Sequence, residues 1–288
     1  MKFRSVAIAA LSTFLASCGG DSGSPTKVWE TAGFQNPESA LPDAERGAIY
    51  VSNVAGNAGD RDGNGYISKL GLDGKVVTEK WVTGLDAPKG LALSGGKLFV
   101  ADLDSLVEID VSSGTIVTKH AAAGAKILND VAADKEGRIY TSDWPGNAIW
   151  RLSGGTFEKW LESPELKSPN GLLVESDRLV VAAWGAMEAD FSTKTPGHLL
   201  AVNLADKTIS NIGDGKPVGN LDGIEPFDAD SYLVSDWVAG KLFQIKRSGE
   251  VKERLSLGQG SADIGFIPAS RTVIIPMMMD NKVAAYRF

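Results

Sequence analysis

Cysteine and histidine are nearly missing from this 288-residue chain, which holds one of the first, Cys18, and two of the second, His120 and His198. A lone thiol has no partner for an intrachain disulfide, and so few sulfur and imidazole ligands exclude a structural zinc site. The same scarcity argues against a Ser-His-Asp or Cys-His nucleophile, because both histidines lie away from the recurring motifs described below. Positive charge is in deficit too, with 29 Lys and Arg against 36 Asp and Glu and a formal net charge of −7. Nucleic-acid binding needs clustered cations to neutralise phosphates, so that class of partner is excluded. Finally, no stretch sustains an apolar period of about 3.6 residues, which leaves a chain that is nearly all β.

At the N-terminus, Lys2 and Arg4 precede an apolar run from Ser5 to Ala16 that is too short to span a bilayer. That is the form of an export signal. Leu15-Ala16-Ser17-Cys18 resembles the lipobox of bacterial lipoproteins, in which the cysteine is acylated and becomes the first mature residue. The resemblance implies a signal peptide over 1–17, lipidation at Cys18 and a lipid-anchored protein on the periplasmic side of a bacterial membrane. Gly19 in the next position favours the outer membrane where there is one. The alternative is an ordinary secretory peptide with an incidental cysteine. Residues 18–26, rich in Gly and Ser, read as a flexible tether, and 27–288 as the folded domain.

That domain repeats. Ser168-Pro169-Asn170-Gly171-Leu172 has relatives at Pro88-Lys89-Gly90-Leu91, Leu128-Asn129-Asp130-Val131, Leu221-Asp222-Gly223-Ile224 and Ala262-Asp263-Ile264-Gly265, with a degenerate copy at Pro37-Glu38-Ser39-Ala40. Asn129 to Asn170 and Asp222 to Asp263 are both 41 positions apart, and a period of roughly 40 to 50 residues predicts a propeller or solenoid. With 33 glycines to make turns, each repeat reads as four short strands. In the second they are Gly90 to Leu93, Lys97 to Val100, Leu106 to Ile109 and Thr115 to Thr118. The last repeat offers only three before Phe288. Lys27-Val28-Trp29-Glu30-Thr31 resembles the other fourth strands, Trp29 matching Trp81 and Trp160, and is predicted to complete it. The expectation is an all-β, six-bladed propeller of four-stranded blades, the last closed by the N-terminal strand so that no edge stays open.

The first strand of each propeller blade lines the central channel, which places Glu38, Lys89, Asn129, Asn170, Asp222 and Asp263 around one ring at its mouth. Antiparallel second strands end on the same face, adding Asn53, Asp102, Asp143 and Asp236, with Trp144 and Trp237 one position beyond two of them. Oxygen donors without Cys or His suit one hard divalent cation, Ca²⁺ ahead of Mg²⁺ or Mn²⁺. Asp130 is predicted to point opposite to Asn129 and to be structural. Lys89 brings a cation into the ring, either with a depressed pKa or paired to Asp263. Two loops stand out. Asp60 to Ser68 follows an EF-hand calcium loop, but Gly71 occupies the twelfth position where a bidentate Glu is required, and a strand follows. A polar turn is the expectation there, a partial calcium loop the alternative. Trp184 to Pro196 separates strands two and three of the fourth repeat, as a lid or as a passive insertion.

Glu38, Asn129-Asp130, Pro169-Asn170-Gly171-Leu172 and Asp222-Gly223, in this order and spacing, resemble the gluconolactonase, regucalcin and senescence-marker-protein family, and more distantly strictosidine synthase and the paraoxonases. The likeness runs over essentially all of the mature chain. It implies a six-bladed propeller with a divalent cation at the channel mouth, in a family where many members hydrolyse lactones. Carried to this chain, it implies metal ligands Glu38, Asn170 and Asp222, with Asn129 beside metal and substrate and Asp222 also the general base. Lys89 is a further catalytic candidate. The family often has an Arg two residues before the Asn matching Asn129, where it helps to bind sugar lactone; this chain has Ile127. Asp102, Asp143, Trp144, Asp236, Trp237 and Asp263 are expected to face a small-molecule substrate. The function implied is a monomeric, metal-dependent lactone or ester hydrolase that touches membrane only through its lipid. The alternative is a non-catalytic propeller lipoprotein that offers the same face to a ligand or protein partner.

Overall fold

The computed structural model describes residues 23–188 and 192–288. The export signal, Cys18 and the start of the tether lie outside the described residues. Within them the chain forms six four-stranded antiparallel sheets, a two-stranded hairpin and three single-turn 3-10 helices, with no α-helix. Blade one runs through Pro37–Asp43, Ala48–Asn53, Gly65–Gly71 and Val76–Leu85, and blade two through Pro88–Ser94, Lys97–Asp102, Ser105–Asp110 and Thr115–Ala121. Blade three is Leu128–Ala133, Ile139–Asp143, Ala148–Ser153 and Thr156–Glu162. Blade four is Pro169–Glu175, Arg178–Ala183, Leu199–Asn203 and Ile209–Asn211. Blade five is Leu221–Asp228, Ser231–Asp236, Lys241–Lys246 and Val251–Ser256. Blade six is Gly265–Ile267, Thr272–Met277, Lys282–Arg287 and, outermost, Thr26–Ala32 from the N-terminal side. The six-bladed ring and its N-terminal closure are as the repeat predicts.

Each blade packs between two others, so an inner strand is buried on both faces: every residue of Ala48–Asn53 is buried, while the outermost Thr115–Ala121 alternates exposed and half-buried positions. The apolar side chains divide into six clusters, one at each blade interface. Tyr50 and Ile67 of blade one meet Leu91, Leu98 and Val100 of blade two in one of them. Ile49 and Val51 meet Ile274, Val283 and Ala285 of blade six in another, which closes the circle.

The closing strand is held from two sides. It pairs with Lys282–Arg287 from Thr26 opposite Arg287 to Ala32 opposite Lys282. It also reaches the next blade, where Trp29 Nε1 donates to the Leu72 carbonyl at 3.3 Å and Thr31 Oγ1 to the Gly74 carbonyl at 2.6 Å. The Trp29 ring lies so close to Gly74 that a Cβ there would come within 2.4 Å of it, and Gly74 also has a φ of +80°. Trp81 meets Gly114 in the same way one blade on, and Trp160 receives the Lys207 ammonium over its ring at 5.5 Å. The tryptophan shared by these outer strands is thus an inter-blade contact, seated on the turn between the third and fourth strands of the following blade. Trp29→Ala is expected to cost about 2 kcal/mol, and deletion of Lys27 to Thr31 considerably more, because it also strips blade six of a strand. Thermal melts check this, and an unchanged melting temperature in the deletion contradicts the closure.

Candidate functional site

Five first strands carry the same irregularity. Their register with the second strand breaks between Pro37 and Ala40, Pro88 and Leu91, Leu128 and Val131, Pro169 and Leu172, and Leu221 and Ile224. The residue that opens each break is Glu38, Lys89, Asn129, Asn170 or Asp222. A bulge bends a strand and re-aims a side chain, which suits a strand that must turn a polar group toward an axis. The backbone N–H released by the bulge finds a hydroxyl in three blades: Ser39, Asp130 and Gly223 donate to Ser52, Ser142 and Ser235 at 2.9, 2.9 and 2.8 Å.

The glycine in the motif has a different cause from a turn. A Cβ on Gly90 would lie 2.4 Å from the Asp130 Cα, one on Gly171 2.0 Å from the Asp222 carbonyl oxygen, and one on Gly223 2.4 Å from the Ile264 nitrogen. Neighbouring first strands are simply too close for a side chain at that point. Blades six and one are joined still more tightly, the Asp263 N–H donating to the Glu38 carbonyl at 2.9 Å and the Ala40 N–H to the Asp263 carbonyl at 3.3 Å.

All six ring residues are buried, none more than 8% exposed. Glu38 Oε2, Asn129 Oδ1, Asn170 Oδ1 and Asp222 Oδ1 are, among the described residues, the only buried carboxylate or amide oxygens with no hydrogen-bond partner. Leaving one such oxygen unsatisfied costs roughly 1–3 kcal/mol, and four together mark a place built for something the protein does not itself supply. Burial first, then repulsion from Asp222 and Asp263, pushes the Glu38 carboxyl well above its ordinary range. Asp222 is driven the same way by burial and by Asp263, against the pull of a hydrogen bond with the Asn170 side chain. Two carboxylates and two amides, all hard oxygen donors, fit a divalent cation of the calcium or magnesium type. Among the described residues no group of three or more His, Cys, Asp or Glu forms a metal cluster, so any such site has to draw on the amides.

Lys89 is not paired to Asp263. Its Nζ donates to the carbonyls of Ala87 at 2.8 Å and Ala58 at 3.1 Å, and burial lowers its pKa while Glu38 and Asp102 pull the other way. Asp263 instead accepts from Ser39 Oγ at 2.5 Å and is pushed up to about 7 by burial. Asp130 is a tie, as alternation predicts: its two oxygens accept the N–H groups of Val131 and Leu172, both at 2.6 Å, the second across a blade boundary.

The acids at the ends of the second strands are loop clamps. Asp102 accepts from the N–H groups of Asp86 and Ala87, Asp143 from Lys126 and Ile127, and Asp236 from Ala239; Asn53 Oδ1 takes the Gln35 N–H. Most of these bonds fix the segment entering the first strand of the same blade, which leaves little of these oxygens for a substrate. The Asp60 loop behaves as a polar turn into the strand Gly65–Gly71, pinned by a two-point ion pair between Arg61 and Asp104. The insertion after Trp184 is a hairpin of Gly185–Met187 and Thr193–Pro196, and Gly197 beyond it donates to the Gly219 carbonyl at the entry to blade five.

Trp184 is the residue that the sequence reading passed over, naming it only as the start of a loop. Its ring centroid lies 5.2 Å from Trp144 and 6.1 Å from Trp237, so three tryptophans from consecutive blades form one arc. The available signal was the recurrence of Trp directly after the second strand in three successive repeats. Deeper in the channel, a cavity of about 40 Å³ is lined by Ser39, Asp130, Glu225 and Asp263 among others. Glu225 is half-buried as a residue, but its carboxyl is enclosed there and pushed up to about 8, by burial first and Asp263 second.

Two outcomes are expected. Gly171→Ala drives a Cβ into the Asp222 carbonyl and is expected to cost about 3 kcal/mol in a denaturant melt. For Glu225 the raised native pKa means that the folded chain keeps a proton which the unfolded chain releases near pH 4.5. Its contribution therefore favours folding most at low pH and is lost as pH rises from there to about 8. In chelator, the melting temperature of Glu225→Gln is expected to fall less between pH 5 and pH 8 than that of the parent.

No protein-family profile and no curated protein sequence matches the chain. Solved structures do. A gluconolactonase from Xanthomonas campestris is 14% identical, with a TM-score of 0.67 over 93% of this chain and 95% of that one. A second protein, classed as a gluconolactonase, is 18% identical with a TM-score of 0.67 over 93% of each chain. The virginiamycin B lyase of Staphylococcus aureus is 16% identical with a TM-score of 0.62, over 90% of this chain and 98% of that one. At such identities the likeness establishes the fold, and this chain is a gluconolactonase-like six-bladed propeller on which proteins of more than one activity are built.

Proposed function

We propose that the chain is an exported, lipid-anchored hydrolase that uses one divalent cation, calcium first, to open a lactone or related ester at the channel mouth. The observation that carries this reading is that four residues of the ring, Glu38, Asn129, Asn170 and Asp222, each hold a buried oxygen without a hydrogen-bond partner. Those four would hold the cation. When bound, it would supply Lewis-acid polarisation of a carbonyl and a more acidic water.

The protein's own groups then divide the work. Asp222 accepts the proton of the attacking water as general base. The Asn129 side chain orients the substrate carbonyl, while Asn170 steadies Asp222 by its hydrogen bond. Lys89, fixed by two backbone carbonyls, sets a positive charge near Glu38 and limits the repulsion among the acids.

The structural likeness to a lyase is compatible with a different chemistry. For the virginiamycin B lyase, a histidine-to-alanine variant is described as catalytically inactive. Here His120 sits on the outermost strand of blade two against Glu108, and His198 bonds Asn211 in blade four. Neither belongs to the ring, which favours the oxygen-based reading.

Titration of chelator-treated protein with Ca²⁺, Mg²⁺ and Mn²⁺, followed by a lactone panel, tests the proposal. Uptake of about one cation with turnover is expected, and Asp222→Asn is expected to lower kcat/KM by about 10³-fold. Glu38→Gln is expected to weaken uptake. Uptake with no turnover of any ester would favour the non-catalytic binding lipoprotein instead, and no uptake would remove the site.

A further inference from the structure

We infer that this mouth selects lactones or esters bearing an apolar alkyl or aryl group over polyhydroxylated ones; the inference rests on the hydrolase reading and names its substrate. The layer directly above the polar ring is set by one repeated backbone contact. The residue following the second strand donates its N–H to the segment entering the first strand: Val54 to Asn36 at 3.2 Å, Trp144 to Ile127 at 3.0 Å, Trp184 to Ser168 at 3.0 Å, Trp237 to Asn220 at 3.1 Å and Met278 to Gly260 at 2.8 Å. Leu103 holds the same place after Asp102 in blade two. Every one of the six is apolar, although the ring beneath them is wholly polar.

At its centre, on Trp184, the collar offers a substrate little to hydrogen-bond. The Trp184 indole N–H already donates to Thr193 Oγ1 at 2.9 Å, and Trp184 itself is only 8% exposed, wedged between its two neighbours. Trp144 and Trp237 are half-buried and present the remaining aromatic surface. Their planes stand at 75° and 48° to Trp184, so the arc is a corner and not a flat platform for stacking a sugar face. A hydroxyl buried there without a partner lowers affinity roughly tenfold, whereas a hydrocarbon tail gains by leaving water. Trp144 and Trp237 are the contact residues, and Trp184 is a positioning residue locked by the hairpin.

The test uses the intact, Ca²⁺-loaded protein with three lactones: δ-decanolactone, unsubstituted δ-valerolactone and δ-gluconolactone. The alkyl lactone is expected to exceed both others in kcat/KM by about tenfold or more. Trp144→Ala and Trp237→Ala are expected to bring that ratio close to one through KM, while Trp144→Phe keeps most of it. Ca²⁺ uptake, measured on each variant, reports whether the ring is intact; a variant that has lost it is replaced by Trp144→Gln or Trp237→Gln, which adds a polar group with less loss of volume and is expected to lower the ratio likewise. Preference for gluconolactone, or a ratio that neither tryptophan change moves, overturns the inference and leaves the hydrolase reading standing. If no lactone is turned over, the hydrolase reading fails, and calorimetric titration with the same three still decides the collar: tighter binding of the alkyl lactone supports it, equal or weaker binding sinks it.

Discussion

Six first strands converge on one axis, and how closely they approach governs the rest of the molecule. At Gly90, Gly171, Gly223 and Gly265 the neighbouring strand occupies the space a Cβ would need. With the backbones that near, Lys89, Asn170 and Asp222, each just before one of these contacts, are held buried and face their counterparts across the channel. Burial raises the pKa values of Glu38, Asp222 and Asp263 together, and repulsion from neighbouring acids adds to the rise at Glu38 and Asp222. Such an arrangement opposes folding, and it persists because the apolar clusters at all six blade interfaces hold the ring shut from outside. Asp130 contributes from inside, its carboxylate bridging blade three to the Leu172 N–H of blade four.

Around that axis the mouth is stiffened by clamps and by strained backbone. Asn36, Leu103, Lys167 and Ser168 have left-handed φ values of 51°, 59°, 52° and 57°, which non-glycine residues rarely adopt, and all lie at the mouth. The Ser168 N–H donates to Asn147 Oδ1 at 2.7 Å, so the strained segment leading to Asn170 is held by a neighbouring blade. Rigid placement of this kind is what an oxygen cage requires, since donors that must rearrange on binding lose part of what they gain.

Much of this was legible in the sequence, and for a physical reason. A strand start that must be polar at the mouth, glycine or small where backbones touch, and apolar below leaves a recurring three-part pattern, and Pro169-Asn170-Gly171-Leu172 displays it plainly. The closing strand was legible because Trp29 has the same task as Trp81 and Trp160, to seat on the next blade's turn. What escaped was direction. Strand alternation places Asp102, Asp143 and Asp236 on the correct face, but whether a carboxylate looks into the channel or back at the loops beside its own strand depends on the bend of those loops. Lys89 escaped similarly, because one of its partners, Ala58, comes from an irregular loop with no counterpart in the other repeats. Trp184 was hidden by its predecessor: blade four ends its second strand with Ala183 where blades three and five have Asp, so the equivalence of the three tryptophans was masked.

The polar ring and the apolar collar are best understood together. Charges that water can reach interact through a dielectric near 80, whereas a partly enclosed site behaves more like 20, a difference of about fourfold in every Coulombic term. A polar rim above Glu38 and Asp222 would draw water down to the ring and weaken its hold on a cation and on any charge that develops in a substrate. Val54, Leu103 and the tryptophan arc keep that layer dry while adding no acceptor to compete with the four unpartnered oxygens. The same dryness that would strengthen the ring would penalise a substrate covered in hydroxyls, so the proposed cation site and the proposed preference for an apolar partner rest on one arrangement of side chains.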